Sequence, residues 1–276
     1  MGPLEFGRPL VMGVLNVTPD SFADGGRYLE PDAAIAHARR LIERGADIID
    51  VGGESTRPGA EPVPVEEELR RVLPVISALL GIGVPVSIDT RHAPVMRAAL
   101  AAGASIINDV SALTGDPESL AVAAASDAPV ILMHAQGDPR TMQDSPVYTD
   151  VVDEVHEYLK RRIQACTDAG IDAGRLIVDP GIGFGKTLDH NLALLRNLHR
   201  FHDLGCPVLL GVSRKSFLGR LSGGAPAHGR LPGSLAAALA AIHQGVHILR
   251  VHDVAETRQA LDVWQAIFQG TATENS

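Results

Sequence analysis

Cysteine is nearly absent from this chain: there are two in 276 residues, Cys166 and Cys206, and they do not form a CxxC pair. That excludes a disulfide framework and a thiolate metal cluster, and predicts two buried thiols in a reducing compartment. Basic charge is also in deficit. The 24 Lys+Arg are outnumbered by 33 Asp+Glu, giving a net charge of −9 with His neutral, and no run of four or more Lys/Arg occurs. A dedicated surface for nucleic acid or for an anionic membrane is therefore excluded, and any basic site must be small and focused. Apolar stretches such as Leu235 to Ile242 fall far short of the ~20 residues a membrane-spanning helix needs. The opening MGPLEFGRPLVMGVLN has no basic segment leading into an apolar one, because Glu5 and Arg8 interrupt it. No export signal is read there, and the expected location is the cytoplasm.

What is present is core material: 45% hydrophobic residues against 21% charged, enough to predict a compact fold. Short runs rich in Val and Ile recur eight times, at 10–17, 47–53, 85–90, 105–110, 129–134, 176–181, 207–213 and 247–253. They are continuously apolar instead of alternating, the pattern of strands buried on both faces of a parallel sheet. Between and after them lie helical patterns: Pro31 to Gly45, Val65 to Leu80, Ala93 to Ala102, Pro117 to Ser126, Val151 to Ala169, Asn191 to Leu204, Gly233 to Gln244 and Val254 to Gln269. Eight strand and helix repeats in this length predict an α/β fold of the (β/α)8 TIM-barrel type. A doubly wound open sheet is the alternative, which eight repeats disfavour. No Pro/Gly/Ser-rich linker divides the chain, so one domain is expected over 1–276, with the barrel at about 10–268 and a frayed tail at 271–276.

In such a barrel the chemistry sits where the strands end. Asn16 closes the first run, GGESTRPG (52–59) the second, and Asp89, Asn108, His134 and Asp179 the next four. The seventh leads into SRKS (213–216), and the eighth carries Arg250 and His252 two residues apart, hence on one face. Any one of these polar groups is explained by a structural hydrogen bond; a whole ring of them is not, since each is costly to bury unless paired. Asp89 and Asp179 are acceptors for a heterocycle with adjacent N–H donors, and Asn108 donates and accepts. Lys215, Arg250 and His252 make a cationic group suited to phosphate. No three His/Asp/Glu stand at metal-ligand spacing, so a tightly held zinc is not expected, whereas a diphosphate-bound Mg2+ needs only one or two protein oxygens. GIGFGKT (181–187) resembles the end of a P-loop, but Pro180 occupies the position of the first glycine and the motif fails. His37, His190, His199, His202 and His243 lie on helical segments or caps and read as surface residues.

The strand-end segments LNVTPDSFADGG (15–26), DVGGESTRPGA (50–60), SIDT (87–90), INDV (107–110), LMHAQG (132–137), DPGIGFGK (179–186), GVSRKSFLG (211–219) and RVHDV (250–254) resemble, in order, the motif series of the dihydropteroate synthase family. The resemblance runs from about residue 10 to 268. It implies an enzyme that joins 6-hydroxymethyl-7,8-dihydropterin diphosphate to 4-aminobenzoate, releasing diphosphate. It implies that Asp89, Asn108 and Asp179 pair with the pterin edge, that Lys215 reaches the pterin carbonyl and N5 region, and that Met133 and Phe184 wall the slot. Asn16 matches the Mg2+ position; Thr56, Arg250 and His252 match the diphosphate positions. Asp89 would stabilise a pterin cation formed as the C–O bond breaks ahead of amine attack.

Thr18, Asp20, Ser21, Phe22 and Asp24 in the first loop, and Ser55, Thr56, Arg57 and Pro58 in the second, match the family loops that order over the diphosphate and aryl ring. Ser216 matches the position near the aminobenzoate carboxylate, where a helix is expected to begin. Arg57 has two open readings, ligand contact and loop-to-loop salt bridge. Gly25, Gly26, Gly52, Gly53 and Gly59 are expected to leave the loops free to move. The resemblance further implies sulfonamide inhibition, sensitive to Phe22, Thr56, Pro58 and Ser216, and a homodimer through Gly233 to Phe268. For Leu235, Leu239, Ile242, Leu261 and Ile267 within that stretch, core packing is the expectation for most. Two competing readings are a pterin-barrel methyltransferase, which has no use for the phosphate cluster, and a paralogue that binds the diphosphate without condensing it.

Overall fold

Every apolar run becomes a parallel strand in a computed structural model, which describes residues 4–18, 30–55, 61–137, 142 and 144–268. The strands are β1 (Leu10–Asn16), β2 (Ile48–Gly52), β3 (Val86–Asp89), β4 (Ile106–Asp109), β5 (Val130–Met133), β6 (Leu176–Asp179), β7 (Leu209–Gly211) and β8 (Ile248–Val251). Their order in the sheet is β6-β5-β4-β3-β2-β1-β8-β7. A parallel bridge between Val178 and Val208 joins the two outer strands, β6 and β7, and brings the sheet round into a (β/α)8 barrel.

Around it run α1 (Glu30–Glu43), α2 (Val65–Ala78), α3 (Ala93–Ala101), α4 (Ser119–Ala124), α5 (Val151–Asp168), α6 (Leu188–Arg196), α7 (Ser216–Leu221), α8 (Leu231–His243) and α9 (Val254–Phe268). Local chemistry sets several of their ends. Asp150 caps α5 by accepting from the amides of Val152 and Asp153, and Thr187 and His190 form a reciprocal capping box at the start of α6. Among the described residues, no helix is long and apolar enough to cross a membrane.

The continuous apolar character of the strands has two destinations. One set of alternate residues, including Val11, Ile49, Ile88, Ile107, Leu132, Val178, Leu210 and Leu249, packs outward against the helices. The other set points into the barrel, where Leu10, Met12, Ile48, Ile106, Ile131, Ile177, Leu209 and Ile248 form a closed apolar layer with Leu4 and Phe6 beneath it. Each fully buried side chain of this kind stabilises the fold by about 1.5–3 kcal/mol. Two residues further along the same strands, the inward positions become Asp50, Asn108, Met133, Asp179, Gly211 and Arg250. With a side-chain period of two, an apolar floor thus fixes a polar mouth directly above it.

Three expectations are corrected. The helix expected over Asn191–Leu204 starts earlier, at the Thr187 cap, and breaks at Asn197 (φ −123°), beyond which Leu198–Leu204 is a 3-10 helix ending on left-handed Gly205. The helix expected from Gly233 starts at Leu231, and the α7 helix before it begins at Ser216 as expected. Gly52 and Gly53 are not free loop glycines: Gly52 ends β2, and a Cβ on Gly53 would lie 2.9 Å from Glu68 Cγ and from Val72 Cγ1. Glu68 and Val72 are fully buried, so neither yields easily. Gly53→Ala should therefore destabilise the fold by about 1–3 kcal/mol, the usual penalty of overpacking. Chemical denaturation would read this as a lowered midpoint at unchanged slope; an unchanged midpoint would refute the tight approach.

Candidate active site at the barrel mouth

Strand register assembles the site. Asn16 lies beside Gly52, Gly52 beside Asp89 and Asp89 beside Asn108, while Met133 pairs with Asp179 and Gly211 with Arg250. Residues scattered between 16 and 250 are thereby brought to one end of the barrel. Gly52 and Gly211 matter here because they have no side chain. A Cβ on Gly211 would stand 3.8 Å from both Arg250 Cβ and Lys215 Nζ, and one on Gly52 would stand 3.6 Å from Asp89 Oδ2. The two glycines leave the centre of the mouth to charged heads.

At that centre the Arg250 guanidinium is gripped from two sides, with Nε 2.7 Å from Asp50 Oδ2 and Nη2 2.7 Å from Asp89 Oδ2. Burial opposes the charge on Arg250, but Asp50 and Asp89 outweigh it and hold the guanidinium ionised. Asn108 Nδ2 donates to both Asp50 oxygens, at 3.2 and 3.3 Å. Burial raises the Asp89 pKa against the pull of Arg250, with Asp50, Glu68 and Asp109 pushing the same way as burial. Asp89 Oδ1 is buried and accepts no hydrogen bond from the described residues. An unpaired buried acceptor of this kind is a standing cost that an N–H donor on a ligand would remove.

On the opposite rim Asp179 Oδ1 accepts from the Gly181 amide at 2.7 Å. Its pKa is raised by burial, against Lys215, Lys186 and Arg250. Lys215 is within electrostatic reach of both Asp179 and Arg250. Its ammonium donates to the Ile182 carbonyl and sits 4.6 Å from the centroid of the Phe184 ring, a cation–π contact. Burial pushes its pKa down to about 8, with Asp179 resisting and Arg250 assisting. His252 is tied to Ser213, whose hydroxyl lies 3.1 Å from both the backbone nitrogen and Nδ1. Arg214, in the left-handed region at φ 60°, ion-pairs with Asp253 and so pins the strand-end segments of β7 and β8 together.

Asp89, Asn108, Met133, Asp179, Phe184, Lys215 and Arg250 are thus gathered at one mouth, with Asn16 and His252 on its edge. Ser216 is exposed at the first position of α7, and Thr18 and Ser55 stand at the roots of two loops. Asp20, Ser21, Phe22, Asp24, Thr56, Arg57 and Pro58 lie outside the described residues, as do Gly25, Gly26, Gly59 and the tail at 271–276.

Sequence reasoning missed Asp50, the fully buried partner of Arg250 and Asn108. The signal was available: a lone carboxylate inside an apolar strand, in phase with Ile48. It also missed Lys186, set aside with the failed P-loop.

A metal ion fits the donor set only in a limited way. Among the described residues no group of three His, Cys, Asp or Glu is placed to hold one. Asn16 ends β1 with a neutral carboxamide oxygen, a donor that suits a hard cation arriving with most of its oxygens from a diphosphate.

Three comparisons bear on what this mouth is. Residues 12–252 match the family model described as "Pterin binding enzyme". The chain belongs to that family of enzymes, and its relatives narrow the class. It is 51% identical over 273 residues to the dihydropteroate synthase of Neisseria meningitidis serogroup B, covering 96% of each chain. A Xanthomonas albilineans dihydropteroate synthase solved with 4-aminobenzoic acid superposes with a TM-score of 0.91 at 54% identity, covering 96% of this chain and 94% of that one. A Yersinia pestis dihydropteroate synthase in a sulfonamide drug complex gives 0.90 at 47%, with 96% of each chain covered. Within the pterin-binding enzymes, the chain belongs to the dihydropteroate synthases.

The electrostatics of the mouth can be checked directly, because Lys160, Lys186 and Lys215 are the only three lysines in the chain. With 13C-labelled lysine, one side-chain resonance should titrate near pH 8 and vanish in Lys215→Arg. Titration of that signal at the ordinary lysine value, about 10.4, would contradict the burial argument.

Proposed function

We propose that the mouth condenses 6-hydroxymethyl-7,8-dihydropterin diphosphate with 4-aminobenzoate, giving 7,8-dihydropteroate for folate synthesis and releasing diphosphate. The observation that carries this reading is the convergence of Asp89, Asn108, Asp179 and Lys215 on one slot, beside an arginine held at its centre. The pterin edge offers adjacent N–H donors and a ring carbonyl. Asp89 Oδ1, the Asn108 carbonyl oxygen and Asp179 accept from the former, and Lys215 donates to the latter, with Met133 and Phe184 as apolar walls. A ring without that donor pattern would leave these groups buried and unpaired, which makes the slot selective.

The bond that breaks joins the pterin methylene carbon to the bridging diphosphate oxygen, and its electron pair leaves with the diphosphate. Arg250 and His252, with Thr56, take up the charge that develops there. Asn16 would hold Mg2+ brought in with the diphosphate, and the ion would add charge neutralisation there. The positive charge left on the methylene spreads into the dihydropterin, and Asp89 stabilises it. The aminobenzoate nitrogen then donates its lone pair to the methylene carbon, and the resulting ammonium releases its proton to solvent water. Loss of one such preorganised group costs about 2.7–4 kcal/mol in transition-state stability. On the same reading, the loops that carry Thr18, Asp20, Ser21, Phe22 and Asp24 and Ser55, Thr56, Arg57 and Pro58 serve the diphosphate and the aryl ring, Arg57 as a ligand contact or a loop-to-loop salt bridge, with Ser216 toward the carboxylate.

The same reading makes one barrel the whole catalytic unit and pairs two copies through their last helices. Val263 and Ile267, four residues apart, leave apolar surface exposed on one face of α9 and Phe268 leaves more at its end, whereas Ile242 and Leu261 are buried and Leu235 and Leu239 half-buried. Cys166 and Cys206 are free and buried, in keeping with a reducing, cytoplasmic setting.

Steady-state assays with Mg2+ test the proposal. Labelled 4-aminobenzoate should appear in dihydropteroate, and sulfonamides should raise the apparent KM for 4-aminobenzoate at unchanged kcat. Product formation unaffected by sulfonamide, or inhibition that aminobenzoate does not relieve, would break the assignment of the aryl site.

A further inference from the structure

The segment between β6 and α6, residues 180–187, carries two of the features that hold Lys215: the Ile182 carbonyl and the Phe184 ring. It is built on three glycines in the left-handed region, Gly181 (φ +68°), Gly183 (φ +85°) and Gly185 (φ +62°). So permissive a backbone has much conformational entropy to lose and needs something to fix it. Close approach fixes part of it. A Cβ on Gly181 would stand 1.8 Å from the His134 carbonyl oxygen, and one on Gly185 would stand 2.3 Å from that of Gln136. The Gly183 amide donates to Asn191 Oδ1 at 2.7 Å, and the Tyr148 hydroxyl donates to the Gly185 carbonyl at 2.9 Å.

The middle of the segment is closed by Lys186. Its side chain is 3% exposed and curls back under its own loop. Nζ donates to the Gly181 carbonyl at 2.9 Å and the Phe184 carbonyl at 3.0 Å, lies 2.9 Å from His134 Nδ1, and reaches the His134 carbonyl at 3.3 Å. The His134 ring is itself held edge-on against Tyr158, 4.9 Å between centroids. This clasp works whichever nitrogen holds the shared proton. An ammonium spends its three N–H groups on Gly181, Phe184 and His134 Nδ1; a neutral amine spends two on the carbonyls and accepts the third bond from the imidazole. In either form the Gly181 and Phe184 carbonyls, which bracket Ile182, are drawn to one atom. Burying an amine here is expensive, and an apolar side chain of similar length would avoid that desolvation only by leaving the Phe184 carbonyl and His134 Nδ1 without this partner.

We propose that Lys186 is a positioning residue of the pterin slot. It touches no substrate, but by clasping Gly181 and Phe184 to the end of β5 it fixes the Ile182 carbonyl and the Phe184 ring, and through them the ammonium of Lys215. The proposal rests on the reading that Lys215 and Phe184 face the pterin.

The test is a double-mutant cycle on the full chain, with Lys186→Met, Lys215→Ala and the pair, reading kcat/KM for the pterin diphosphate at saturating 4-aminobenzoate. Lys186→Met alone should lower it about tenfold, and on the Lys215→Ala background less than about twofold, since the group it acts through is already gone. His134→Leu, which removes one partner and leaves both loop carbonyls, should give a smaller loss with the same dependence on Lys215. It carries the test by itself if Lys186→Met does not fold. Equal losses on both backgrounds would mean a general structural role and overturn the proposal, as would no loss in either variant. If Lys215→Ala itself leaves the pterin kinetics unchanged, the assignment of the slot fails, and the proposal falls with it.

Discussion

One buried arginine makes the mouth of this barrel possible. Asp50, Asp89 and Asp179 are each at least nine-tenths hidden from solvent, and carboxylates stripped of water at such close quarters resist ionising together. Arg250 reaches in from β8 and bonds two of them at once, with its planar fork matched to carboxylates on two adjacent strands, β2 and β3. A lysine at that position would reach one partner as a point charge. The ion cluster is a weak source of net stability, because its desolvation offsets most of the attraction. Its value is geometric: it holds Asp89 in place with one oxygen still unpaired, and it leaves a cation where a departing anion would need one.

The barrel tolerates this cluster because of what lies under it. The apolar floor around Ile48, Ile106, Ile131, Ile177, Leu209 and Ile248 seals the barrel one layer down. Strand period two then delivers the next inward residue of each strand to the mouth, which is why four polar residues on four strands, Asp50, Asn108, Asp179 and Arg250, converge without any long loop to carry them. Glycine at positions 52 and 211 supplies the room, and the segments after β6 and β7 supply Phe184 and Lys215 from the rim. Two of the chain's three lysines stand at this end, one turned into the slot and one behind it.

Much of this was legible in the residues. The eight strands lie where continuous apolar runs put them, within one or two residues, because a parallel strand buried on both faces has no competing pattern. The ring of polar strand ends was legible for the same reason: such groups are out of place unless they do something. Three parts were not. The break at Asn197 depends on where the Thr187 cap starts α6, and periodicity alone does not report it. Gly53 read as a hinge because a glycine's φ freedom is local, whereas the approach of Glu68 and Val72 is tertiary. Asp50 stood out as a lone carboxylate in an apolar strand, but its partner Arg250, like His134 for Lys186, lies far along the chain, where periodicity pairs nothing. A motif comparison that tracks substrate contacts passes over residues that hold those contacts in place.

Asp50 fixes the position from which Arg250 pairs with Asp89 and, on the proposed function, meets the leaving group. The most direct test is Asp50→Asn, which keeps the shape of the side chain and removes its charge, assayed by kcat/KM for the pterin diphosphate beside cooperative unfolding of the same protein. A folded enzyme is expected whose kcat/KM falls by about a hundredfold, the scale of losing a preorganised charge. A folded Asp50→Asn with kcat/KM within about twofold of the parent, a difference of only about 0.4 kcal/mol, would contradict that role of Asp50.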